Sequence, residues 1–168
     1  MKNKKRKFKR GYALIEMLFY IAIFSVLTLA VISSFITMAR AFRETTVQAD
    51  LVQSSAIVER ISREVRQAYG INSISTSDLK LNTKDESGNN KTVRFLLSGS
   101  NIELLENDTL TGNLNTPNIQ ATSLSFTEIT TMEGKAVKIS LSVKSARDSS
   151  NRIENFYDTV VLRGDYGS

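Results

Sequence analysis

The sequence predicts an α+β fold in which one long N-terminal helix, transmembrane in its first half, packs by its second half on an antiparallel β-sheet. Three observations carry that expectation. Met17–Ala39 is a run of 23 residues without a charge, and residues 40–70 place apolar side chains at helical spacing. Beyond Gly70 the chain breaks into short β-prone segments separated by Ser, Asn, Gly and Asp. With 168 residues, 41% of them hydrophobic, there is room for one domain plus one long helix and not for two full domains.

The first element is a basic leader, residues 1–11. The formal charge of +5 suggests a nucleic-acid binder until its placement is considered. Lys2, Lys4, Lys5, Arg6, Lys7, Lys9 and Arg10 all precede Gly11, and the remaining 15 basic residues face 17 acidic ones, a balance of −2. A mildly acidic body gives no support to a duplex-binding surface, so no nucleic-acid partner is inferred. The absence of cysteine excludes a disulfide framework, a thiolate metal site and a thiol nucleophile.

Residues 12–39 form the second element. As a helix rising ~1.5 Å per residue, the uncharged run covers a hydrocarbon core of ~30 Å. It exceeds the ~7–15 apolar residues of an ordinary secretory signal. Ala39-Arg40-Ala41 nevertheless fits a small-x-small cleavage pattern, and a terminus at Phe42 is the outcome that alternative requires. The basic run on one side, against Arg40, Arg43 and Glu44 on the other, places the N-terminus in the cytoplasm and the body outside. Glu16 is out of place in such an anchor, because an acidic side chain at the centre of a membrane helix costs ~2.5–3.5 kcal/mol on insertion scales. A carboxylate there needs a reason, unless it sits at the headgroup level and points into water.

Taken together, KRGYALIEMLFYIAIFSVL resembles the class III signal of type IV prepilins and type II secretion pseudopilins. That signal has a basic leader ending in Gly, an aromatic or apolar first mature residue, Glu at the fifth mature position and then an uninterrupted apolar helix. Gly11, Tyr12 and Glu16 stand at those places, with Tyr where Phe is more common in the family. The resemblance implies cleavage between Gly11 and Tyr12 by a membrane prepilin peptidase and N-methylation of Tyr12. A glycine suits a narrow protease cleft, since it brings no side chain. The resemblance also implies that Glu16 pairs with the N-terminal amine of an adjacent subunit, which would offset the burial of its charge and fix axial register. The implied partners are prepilin peptidase, other pilin or pseudopilin subunits, membrane lipid and an inner-membrane assembly platform.

The third element, residues 40–70, continues the helix amphipathically. Val47, Leu51, Val58, Ile61, Val65 and Ala68 form the apolar stripe, Arg60, Arg63, Glu64 and Arg66 fill the other side, and Gly70 is expected as the C-cap. One helix from Tyr12 to Tyr69 would be ~87 Å long. A heptad coiled coil is the rival for its second half, but the β-rich sequence beyond needs a helix to cover its face.

Residues 71–168 form the β-rich domain, with strands expected at Asp78–Asn82, Thr92–Leu97, Asn101–Leu105, Ser123–Glu128, Ala136–Lys144 and Asn155–Arg163. Val137, Ile139, Leu141 and Val143 alternate with Lys138, Ser140 and Ser142, the pattern of a sheet covered on one side. KDESGNNK and LSGSN read as hairpin turns, and LTGNLNTPN as a longer loop between two strand groups. The closing SLSFTEI, AVKISLSV and FYDTVVLRG resemble J-type minor pseudopilins and W-type minor pilins, which implies a place near a fibre tip.

Without His or Cys, catalysis is left to carboxylates, Lys, Tyr, Ser and Thr, and no Ser lies in a Gly-x-Ser-x-Gly context. Asp85, Glu86, Asn89 and Asn90 make an oxygen-rich loop whose spacing departs from the EF-hand and reads as a solvated turn. Asn90-Lys-Thr92 and Asn107-Asp-Thr109 fit the short glycosylation sequon. Strand alternation sends one of Phe156 and Tyr157 inward. No enzyme activity, cofactor or metal is expected. The function expected is that of a minor pilin or pseudopilin that helps to initiate or cap a pilus or pseudopilus. The alternatives are a single-pass anchored extracytoplasmic binding or adhesin domain that never enters a fibre and, more distantly, an anchored hydrolase.

Overall fold

The computed structural model describes residues 10–132 and 134–163. They comprise one helix, α1 (Arg10–Gln67), followed by eight strands. The chain divides into two compact units, one ending at Glu44 and the other starting at Thr45.

The first unit is helical from Arg10 onward, and every large apolar side chain from Tyr12 to Phe42 is exposed. A helix apolar on all sides belongs in an apolar medium. The helix is long and apolar enough to cross a membrane. Four of its hydroxyls are satisfied internally: Ser25, Thr28, Ser34 and Thr37 each donate to the carbonyl four residues earlier, at 2.7–2.9 Å. Hydrocarbon offers no other acceptor, so this return to the helix backbone is what the medium requires.

In the second unit α1 becomes amphipathic, and burial begins at Val47. Val47, Ile57, Val58, Ile61, Val65 and Ala68 are buried and Leu51 is half-buried. Glu64 departs from the expected outer face, since it is buried and forms an ion pair at 3.0 Å with exposed Arg60, one turn earlier. The expected glycine cap is also corrected. The amide of Ala68 still bonds to the carbonyl of Glu64, but Tyr69 N–H donates to the carbonyl of Asn82 at 3.0 Å. The chain has already joined a sheet by then, and Gly70 opens the first strand without a left-handed φ.

Two antiparallel sheets stand where the sequence suggests one. The first is a five-stranded meander, β1 (Gly70–Ser75), β2 (Asp78–Lys84), β3 (Asn90–Ser98), β4 (Asn101–Glu106) and β5 (Thr109–Asn113). The second is a three-stranded meander, β6 (Ile119–Thr131), β7 (Gly134–Ser145) and β8 (Glu154–Val161). Six of these strands answer to the expected ones, while β1 and β5 are additional. The segment expected as a long loop is strand as far as Asn113, so only residues 114–118 connect the sheets. KDESGNNK and LSGSN do turn the β2–β3 and β3–β4 hairpins, with Gly88 and Gly99 at φ of 83° and 62°. Those angles favour glycine over any residue with a Cβ.

One core joins the helix to both sheets. Ile57, Ile61 and Val65 of α1 meet Leu79, Leu81, Val93 and Phe95 of the first sheet and Phe126, Val137, Ile139 and Leu141 of the second. The alternation expected in β7 is present: Val137, Ile139, Leu141 and Val143 are fully buried, with Lys138 exposed. Buried Asn115 fastens the two sheets together by accepting from Ile102 N–H at 2.8 Å and donating to the Ile119 carbonyl at 2.6 Å. A side chain with donors and an acceptor can satisfy both strand starts at once.

Candidate processing and assembly site

The residues singled out by sequence gather at the start of α1. Lys2 to Lys9 of the leader lie outside the described residues, while Gly11 and Tyr12 fall in the first turn of the helix. Glu16 follows Tyr12 by four residues, which puts both on one face of the helix. No glycine or proline occurs from Tyr12 to Gln67, so nothing in the covalent chain interrupts the helix that carries them.

Tyr20 joins this site although sequence reading treated it as one more residue of the apolar run. Its hydroxyl donates to Glu16 Oε1 at 3.3 Å, one turn back along the same face. The signal available in the sequence was the spacing of four between a phenol and the single carboxylate in the run from Tyr12 to Phe42. Long helical side chains lean toward the N-terminus, and this lets the ring reach back to Glu16.

Other candidates have structural employment. The carboxylate of Asp85 accepts the N–H groups of Ser87 and Asn89 and the side-chain amide of Asn89, so it closes the β2–β3 turn upon itself. Those donors hold the Asp85 carboxyl below its usual range, with the Asn89 side chain the largest cause. Among the described residues there is no group of three or more His, Cys, Asp or Glu side chains placed to hold a metal ion. Asn107 accepts the N–H of Thr92 through its side-chain oxygen, while Asn90 is exposed at the start of β3. Phe156 is the half-buried member of its pair and packs against the core, whereas Tyr157 is exposed.

No curated protein and no solved structure matches the chain. Residues 6–32 match the family described as the prokaryotic N-terminal methylation motif, a stretch that holds Gly11, Tyr12, Glu16 and Tyr20 and more than half of the apolar run, and the chain therefore carries the prepilin signal of type IV pilin-like proteins.

Proposed function

We propose that this protein is a minor pilin or pseudopilin, cut between Gly11 and Tyr12 by a prepilin peptidase, methylated on the new amine of Tyr12, and assembled into a pilus or pseudopilus. The motif marks a structural rather than a catalytic class of protein. The observation that carries the proposal is Glu16, a carboxylate five residues beyond Gly11 at the entrance to the uncharged run Met17–Ala39. A plain tether gains nothing from it and is made harder to insert by it. A subunit that must find the N-terminal amine of another subunit does use it, because opposite charges brought together in an apolar medium fix register as well as offset desolvation.

In this reading residues 1–11 are the leader, 12–39 the membrane and fibre-core half-helix, 40–70 the amphipathic half, and 71–168 the domain displayed outside. The basic leader holds the precursor with its N-terminus in the cytoplasm. Lipid surrounds the apolar half before assembly, and an inner-membrane platform with the other subunits receives it afterwards.

The test is the mass and N-terminal residue of the protein extracted from membranes of cells with and without prepilin peptidase. The expected result is a methylated terminus at Tyr12 that depends on that enzyme. An intact Met1 would mark an ordinary anchor and a terminus at Phe42 an ordinary secreted domain. Either would overturn the assembly reading in favour of an independent extracytoplasmic binding domain.

A further inference from the structure

We propose that Tyr20 is the positioning residue for Glu16, a phenol that holds the carboxylate in place for the amine of a neighbouring subunit. The inference rests on the assembly role given to Glu16 above and goes beyond it by assigning the group that prepares the carboxylate. Four facts converge. The phenol oxygen lies 3.3 Å from Glu16 Oε1. The hydroxyls of Ser25, Thr28, Ser34 and Thr37 are short enough to bond the backbone one turn back, whereas the long reach of Tyr20 carries its hydroxyl past the backbone to a side chain. Glu16 is the single carboxylate between Tyr12 and Phe42. Both residues are exposed along the helix, where lipid or another subunit would surround them.

The chemistry follows from the acceptor capacity of a carboxylate. Its two oxygens offer about four lone-pair directions, so one donor from Tyr20 leaves room for an ammonium group. In an apolar medium a carboxylate with no donor is costly to bury, and the hydrogen bond it does make is stronger than in water. Tyr20 supplies that donor from within the same helix, before any partner arrives. It also restricts the rotamers of Glu16, so less freedom is lost when the amine binds. Tyrosine suits the depth, because its ring rests among acyl chains while its hydroxyl reaches toward the headgroups.

The experiment uses the full chain and two readouts. In detergent micelles, the Cζ resonance of Tyr20 is assigned by its loss in Tyr20→Phe and then followed in Glu16→Gln. The expected result is that it moves, because the phenol then meets a neutral amide, a weaker acceptor than a carboxylate; an unmoved resonance overturns the proposal. In cells, incorporation of each processed variant into fibres is compared with that of the wild type. Tyr20→Phe is expected to lower incorporation roughly tenfold while leaving cleavage after Gly11 intact, the size that loss of one hydrogen bond to a charged group implies. If Tyr20→Phe incorporates like the wild type while Glu16→Gln does not, the proposal fails and the role of Glu16 stands. If Glu16→Gln also incorporates like the wild type, the role given to Glu16 falls and takes the proposal with it, whereas the assembly reading falls only if the processed wild type itself is absent from fibres.

Discussion

Ser145, the last residue of β7, donates its hydroxyl to the buried carboxylate of Asp50 on α1 at 2.9 Å, across 95 positions of sequence. With the hydroxyl gone, the carboxylate is left buried and short of a donor. Ser145→Ala is therefore expected to destabilise the fold by about 1–3 kcal/mol in denaturant titrations of the full chain in micelles. The penalty should shrink in an Asp50→Asn background, because a neutral amide is less costly to leave unsatisfied. Equal penalties in the two backgrounds would mean that the pair is not coupled.

Phe95 is fully buried between its register partners Leu79 on β2 and Leu104 on β4. Phe95→Ala should cost about 3–5 kcal/mol, the range for an aromatic deleted from a packed core. Tyr157→Ala removes an equally large side chain from an exposed position and should stay within about 0.5 kcal/mol. The same titration checks both.

Acid should loosen the fold within a definite window. Asp148 accepts the Arg152 guanidinium at 2.8 Å and the N–H of Ser150 at 2.9 Å, and these, the guanidinium first, pull its carboxyl down to about 2. An unfolded aspartate takes its proton near pH 4, roughly. The folded state is thus favoured above that pH, and the contribution disappears as pH falls toward 2. Asp108, held down chiefly by Lys80, and Asp85 act in the same direction. The unfolding midpoint is expected to be level above roughly pH 5 and to drop between about pH 4 and 2, less steeply in Asp148→Asn.

Gly11→Val should leave the precursor at its full mass in cells that contain prepilin peptidase. A β-branched side chain resists the backbone shapes open to glycine and adds bulk at the bond to be cut. Processing of that variant at the wild-type rate would remove the need for glycine from the proposed cleavage.

Most of the architecture was legible because hydrophobic period reports it directly, and the places where it was not legible share a cause. The first strand was missed because Ile71 and Ile74 are three apart, which would place them on opposite faces of a regular strand. A bulge at Asn72 brings both against the core. In β6, Ile119 and Ala121 belong to one parity and Leu124 and Phe126 to the other, and the extra residue Thr122 reconciles them. Thr111 plays that part in β5. That strand is entered through Asn107 and Asp108, both at positive φ, a two-residue turn built without the glycine that usually advertises it. At the head of α1, the sequence made Gly11, Tyr12 and Glu16 visible by spacing. Tyr20 stayed hidden because a tyrosine in an apolar run reads as bulk until its hydroxyl is seen to reach a partner.

The four hydroxyls of the apolar half-helix that bond back to its own carbonyls bear on how that segment partitions between solvents. A solute that carries its acceptors with it exchanges no hydrogen bonds when its surroundings change from acyl chains to the packed side chains of other helices. For these four side chains the transfer free energy between those two phases is then set by dispersion contacts and shape. Those residues are close to indifferent about which apolar phase holds them. On the role proposed for Glu16, that carboxylate is the group for which the two phases differ.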